Sequence, residues 1–192
     1  TDRDAGSRGV SAFLIGADTP GFSVGTQEKK LGQRTSPTTQ MVLEDCYVHE
    51  SKLLATEGRG FNVMMNALDG GRVGVSAQAI GVCDAAITLM RNAYELNPNS
   101  ELADLLSQSQ AERDAAWLLC LRAATLKDKG KNLTREASMS KLYCTETVGR
   151  VCQRAVRGLG ALGHQRSGQA ERLMRDARVM RIYEGSSEIQ RL

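Results

Sequence analysis

Aromatic side chains are scarce in this 192-residue chain, at three Phe, four Tyr and one Trp. Aliphatic packing must therefore dominate any core, and the stacking platforms of a single-strand binder are missing. Charge of one sign is also lacking. The net charge is +3 and the basic residues are scattered, which argues against a nucleic-acid groove with its clustered Lys and Arg. The two histidines, His49 and His164, are too far apart in sequence to form a metal-ligand pair, so no metal is expected. The five cysteines are odd in number and widely spaced, with no CxxC among them. They read as reduced thiols packed as small hydrophobes, which suits a reducing compartment. No apolar run approaches the ~18 residues of a membrane span, and none is expected. Nothing near Thr1 resembles a signal or transit peptide, and because the first residue is not Met the chain reads as processed or as a piece of a longer subunit.

What is present is 41% apolar residues with 24% charged, enough for a real core. Two textures meet near residue 55. Before it, short β-rich stretches (Val10 to Ile15, Phe22 to Val24, Met41 to Leu43) alternate with turn residues. So few strands cannot close a barrel by themselves, and partner strands are missing. After it, helical periodicity takes over in Val73 to Met90, Leu102 to Leu126, and Met139 to Val156. The Asn97-Pro98-Asn99-Ser100 stretch reads as a loop, and Gly130 breaks the second helix. Thr134 is the expected N-cap of the third helix. A shorter helix is expected around Ala170 to Asp176, and a last one after Gly185, where Ser187 and Gln190 fit a capping box. Three long antiparallel helices with terminal pieces predict a helical bundle.

Three clusters could carry chemistry. In Arg181-Ile182-Tyr183-Glu184-Gly185-Ser186-Ser187-Glu188-Ile189-Gln190, a carboxylate precedes Gly and two hydroxyl residues at a helix start. Such a carboxylate can be a general base, or merely a solvated first-turn acid that complements the helix dipole. Leu68-Asp69-Gly70-Gly71-Arg72 could cradle a ligand with an acid and a base as handles, or be an N-cap and a flexible loop. Gly158-Leu159-Gly160-Ala161-Leu162-Gly163 could let backbone N–H groups reach a pyrophosphate, but it lacks a strand–turn–helix context, so helix-linking glycines remain the commoner case.

Taken together and in this order, the clusters resemble the acyl-CoA dehydrogenase family, nearest its short-chain members. Ile182 to Arg191 matches the family's IYEGT-containing signature, with Ser186 in place of the usual Thr. Arg175-Asp176-Ala177-Arg178 matches its RDAR segment. Leu31-Gly32-Gln33-Arg34-Thr35-Ser36 and Glu44-Asp45-Cys46 resemble strands closing its middle β-domain, and Gly58-Arg59-Gly60-Phe61 with Asp69 to Arg72 resembles the start of its bundle. The resemblance covers nearly the whole chain. It implies a mainly α fold: residues 1–54 as the end of a barrel-like middle β-domain, and residues 55–192 as a C-terminal helical bundle short of its terminal helix.

The implied activity is FAD-dependent α,β-dehydrogenation of an acyl-CoA thioester to the 2-enoyl-CoA, in fatty-acid or branched-acid oxidation. Glu184 would remove the α-proton while the β-hydride passes to the flavin. The thioester oxygen would be polarised by the Glu184 N–H and a flavin hydroxyl. Asp69, Gly70, Gly71, Arg72 and Gly185 match positions that contact acyl-CoA. Ser186, Ser187 and Glu188 match positions near the flavin, as do Arg157, Gly158, Leu159, Gly160 and Ala161. The resemblance also implies electron-transfer flavoprotein as acceptor, a homo-oligomer, and a bacterial cytoplasmic or mitochondrial matrix location.

Two flavin motifs of the family are altered. The Arg-x-x-Phe-Gly stretch of the first bundle helix has no counterpart in Leu96 to Leu102, where Pro98 would break a helix. In Gln-x-x-Gly-Gly-x-Gly-aromatic, the Gln is Arg157, the second Gly is Ala161 and the aromatic is His164. Two other readings follow: a non-catalytic assembly bundle descended from the family, and an acyl-CoA oxidase. The 192 residues alone are expected to be inactive.

Overall fold

The computed structural model describes all residues, Thr1 to Leu192. It comprises two compact units, residues 1–30 with 34–68 and residues 31–33 with 69–192.

The first unit holds four short strands, β1 (Ala12–Phe13), β2 (Phe22–Val24), β3 (Met41–Leu43) and β4 (Leu53–Leu54). They form two antiparallel pairs, β1 with β4 and β2 with β3, and Phe22 faces Leu43 across the second. Thr19 to Phe22 is a turn closed by the Phe22 N–H on the Thr19 carbonyl at 3.0 Å. Pro20 presets its second position and Gly21, at φ 83°, takes the left-handed third. The segment expected to resemble strands at Leu31 to Ser36 is not one. Gln33 sits at φ 46°, and its N–H donates to the Asp176 carboxylate at 2.6 Å. Gly32 lies so close to the Arg175 carbonyl that a Cβ would fall 2.2 Å from it. Residues 31–33 are thus a pad laid on the RDAR segment. Glu44 and Asp45 likewise lie beyond the end of β3.

Four helices build the rest: α1 (Gly60–Leu96), α2 (Ser100–Asp128), α3 (Thr134–Gly158) and α4 (Gln169–Met180). The α1 helix runs unbroken through Asp69-Gly70-Gly71-Arg72, so that cluster is neither a loop nor an N-cap. The predicted break at Pro98 is present, and the Asn99 side chain caps α2 by accepting from the Leu102 N–H at 2.9 Å. Ion pairs mark the direction of the long helices. Asp84 of α1 meets Arg113 of α2, Glu112 of α2 meets Arg150 and Arg154 of α3, and Glu101 meets Arg157. Sequence number rises on one helix as it falls on the next, so α1, α2 and α3 are antiparallel.

The buried stripe of α1 (Val75, Ala79, Cys83, Ala86, Met90) meets Leu102, Leu105, Ala116 and Cys120 of α2 and Cys144, Val148, Val151 and Ala155 of α3. Spacings of three and four residues, or of eleven between Leu105 and Ala116, put each set on one helix face. A window of α1 with hydropathy 1.5 is long and apolar enough to cross a membrane by length and composition, contrary to the expectation from apolar runs. This is the helix that supplies the core stripe. All five cysteines are free, and four are buried. Burial pushes the Cys144 thiol up to about 11 and Cys152 to about 12, as inert core thiols require.

Two helix-start expectations need correction. Leu133, not Thr134, is the N-cap of α3, without a side-chain bond, and the Thr134 hydroxyl donates to Asp69 instead. After Gly185 only one short 3₁₀ turn forms, Ile189–Arg191. The capping box is absent because Ser187 bonds Glu146 and Gln190 bonds backbone carbonyls.

Candidate functional site

The chain leaves α4 at Met180, and the Ile182 and Tyr183 N–H groups both return to the Val179 carbonyl. Glu184 then takes φ 55° and Gly185 φ 94°, two consecutive left-handed residues that reverse the chain. For a glutamate that conformation costs on the order of 1 kcal/mol, so the surroundings must hold it. At Gly185 a Cβ would fall 2.3 Å from the Gln190 amide, so only glycine serves there.

The turn is held by its carbonyl oxygens. Arg72 Nε donates to the Glu184 carbonyl at 3.3 Å, and Gln190 Nε2 donates to the carbonyls of Glu184 at 3.1 Å and Gly185 at 3.2 Å. Lys141 Nζ donates to the Gly185 carbonyl. The Glu184 N–H is not among the donors that fix the turn. Arg72 is itself fixed, bonded to Asp69 Oδ1 at 3.0 Å and Ser138 Oγ at 3.3 Å, and Asp69 Oδ2 accepts from Thr134 at 2.6 Å. Both members of the Asp69–Arg72 pair are buried. The Glu184 carboxylate lies against Gly71, where a Cβ would come 2.5 Å from Oε2.

A second anchor is Glu146 of α3. It accepts from Ser187 Oγ at 2.7 Å and Arg181 Nε at 2.9 Å. Burial pushes its carboxyl up, but the Ser187 hydroxyl and the Arg181 guanidinium outweigh that and leave it below the ordinary carboxylate range. The Tyr183 hydroxyl donates to Gln78 at 2.6 Å.

The structure thus brings Asp69, Gly71, Arg72, Glu184 and Gly185 together, on α1 and on the turn after α4. Gly70 faces another way, towards the Lys127 ammonium. The exposed Glu188 is held below the usual carboxylate range by the Ser186 hydroxyl, while the Ser187 hydroxyl is spent on Glu146. Arg157 to Ala161 lies elsewhere, about 24 Å along α3 from Lys141 at 1.5 Å per residue. Arg157 is paired with Glu101 at 2.7 Å on the rim of a groove of about 670 Å³ that does not include Glu184. Gly158 packs on Leu102 and Leu105, and Gly160 takes φ 55° just past the end of α3. These positions match helix-linking glycines.

Residues 58–192 match the family model described as the acyl-CoA dehydrogenase C-terminal domain. The chain belongs to the acyl-CoA dehydrogenase family. It is 40% identical over 201 residues to mouse mitochondrial short-chain specific acyl-CoA dehydrogenase, covering all of this chain and 48% of that protein. To the short-chain specific acyl-CoA dehydrogenase of Clostridium acetobutylicum it is 38% identical, covering 53% of that protein. Its fold matches that of butyryl-CoA dehydrogenase from Megasphaera elsdenii with a TM-score of 0.95, at 35% identity over 99% of this chain and 52% of that one. The chain therefore spans about half the length of the curated relatives it matches.

Within this acyl-CoA dehydrogenase-type domain, Lys141, Glu146 and Ser138 escaped the sequence reading. Lys141 had a signal. Ala137, Lys141, Cys144 and Val148 share a helical face, and the other three are core residues. A charge on a core stripe is a candidate for special duty.

Proposed function

We propose that the whole protein is an FAD-dependent acyl-CoA dehydrogenase acting on short acyl-CoA thioesters, and that Glu184 is its base. The observation that carries this reading is the Glu184 turn: a carboxylate in a left-handed conformation, its carbonyls held by donors from Arg72 of α1 and Lys141 of α3, inside the IYEGSSEIQR segment.

The donor set fits a flavoenzyme in part. Because the turn is anchored largely through its carbonyls, the Glu184 N–H stays available to polarise a thioester oxygen. Ser186 and Glu188, on the Glu184 turn, are the groups we assign to the flavin there, and Ser187 could contribute only its backbone. Arg157, paired with Glu101 at the far end of α3, is not part of that set. Bound FAD would supply the acceptor for the β-hydride. Glu184 takes the α-proton onto its carboxylate, and the Glu184 N–H stabilises charge on the thioester oxygen as that proton leaves. Gly71 and Gly185 let substrate and carboxylate approach, and the Asp69–Arg72 pair keeps the turn in place. Electron-transfer flavoprotein is the proposed acceptor of the electrons, and the assembly a homo-oligomer in a mitochondrial matrix or bacterial cytoplasm.

The test is Glu184→Gln in the full-length, flavin-loaded protein, mixed anaerobically with a short acyl-CoA. Flavin reduction should slow by ~10³-fold, in the range general-base removal gives, while acyl-CoA binding persists. Reduction at the wild-type rate would overturn the assignment. A full-length protein without flavin absorbance would return the assembly reading.

A further inference from the structure

Lys141 is the largest fully buried side chain of the protein, at 0% exposure. Burying an ammonium costs several kcal/mol unless hydrogen bonds and opposite charge repay it. Lys141 makes no ion pair, and its Nζ bond is to the Gly185 carbonyl. An apolar side chain would fill this core position on α3 at lower cost. What the ammonium holds is the carbonyl end of the Glu184–Gly185 reversal, the point where two left-handed residues meet the rest of the turn.

We propose that Lys141 is a positioning residue, whose buried ammonium holds the Gly185 carbonyl and thereby keeps the left-handed Glu184 turn, with its carboxylate against Gly71, in place. The catalytic half of this role rests on the dehydrogenase reading; the positioning half does not.

The charged groups facing Lys141 come from every element around it: Arg72 on α1, Glu146 on its own helix, and Glu184 and Glu188 on the turn. Burial lowers its proton affinity most and Arg72 adds to this, while the three carboxylates oppose them, bringing it down to about 8. A charge-assisted bond is roughly twice as strong as a neutral one. The hold on Gly185 therefore weakens as pH rises through that value, and turnover falls with it.

The experiment compares wild type, Lys141→Met and Lys141→Gln in the full-length, flavin-loaded protein. Two quantities are read: amide exchange of the peptide over residues 181–190, corrected for intrinsic rates, and flavin reduction by a short acyl-CoA across pH. Lys141→Met should speed exchange in that peptide at least ~10-fold, the loss of about 1.4 kcal/mol of local stability. It should also lower kcat with little change in KM and remove the alkaline limb expected of wild type near pH 8. Lys141→Gln, which keeps an uncharged donor, should fall between the two. Unchanged exchange in both variants overturns the proposal. A wild-type rate profile flat across that pH region overturns the catalytic half, and exchange in Lys141→Gln decides the positioning half even where Lys141→Met fails to fold. If wild type is not reduced by acyl-CoA, the dehydrogenase reading fails, and amide exchange still decides the positioning role.

Discussion

Gly71 carries a constraint invisible in its own chemistry. In the middle of α1 glycine is a poor helix former, and alanine would favour the fold by up to about 1 kcal/mol. Yet a methyl there would meet the Glu184 carboxylate. Gly71→Ala should therefore leave or raise the melting temperature while cutting turnover by ~10- to 100-fold, as a displacement of around 1 Å at a reacting group does. Parallel calorimetry and kinetics on the full-length protein check this. Asp69 is the opposite case. Removing it strands the buried Arg72 guanidinium, so Asp69→Ala should cost about 3 kcal/mol in a denaturant titration. The Glu184 segment was legible as a signature, but its left-handed backbone was not, since besides Gln190 it is held by Arg72 and Lys141, each more than forty residues away. Thr134 was misread for a related reason. Local propensity made it a cap, and a buried acceptor on another helix claimed its hydroxyl.

At the scale of elements, periodicity located α2, α3 and the break at Pro98. The Asn99 cap makes the start of α2 quantitative: Asn99→Ala should lower stability by about 1 kcal/mol, measured as a shift in denaturant midpoint at unchanged slope. Periodicity failed at Asp69 to Arg72, where two glycines suggested a loop. There the Asp69–Arg72 pair, three residues apart on one helix face, and the bonds to Thr134 and Ser138 carry α1 across. The last turn failed differently, because Ser187 and Gln190 found tertiary partners better than a helix of their own. Between helices, Glu112 and Glu146 are both held below their ordinary value of 4.5; burial raises each, but their arginine bonds, and the Ser187 bond to Glu146, outweigh it. Depressed carboxyls contribute stability above the unfolded value and lose it as pH falls through the folded one. The melting temperature should therefore drop as pH falls below about 4.5, and Glu146→Gln should give a lower melting temperature at neutral pH with a shallower acid limb.

For the molecule as a whole, Lys141 makes stability and catalysis respond oppositely to base. Its folded proton affinity lies below the unfolded value of 10.5, so between about 8 and 10.5 the unfolded chain holds a proton that the folded one sheds. Its contribution to stability therefore improves with rising pH in that window, where the proposed hold on the turn weakens. The bundle was legible from the sequence; Gly158 and Gly163 are accounted for by packing on Leu102 and on the Val156 carbonyl, so flavin contacts in that stretch rest on the family resemblance alone. With a chain that spans about half its relatives, the site is proposed to be composite. The 192 residues alone should fold as helix yet retain no visible flavin absorbance, and the full-length protein should retain it. The central claim is that Glu184 moves the α-proton. Its most direct measurement is exchange of the α-hydrogens of a short acyl-CoA in deuterated water, followed by mass spectrometry with the full-length protein. Exchange should occur with wild type and be lost with Glu184→Gln; equal exchange in the two would contradict the account.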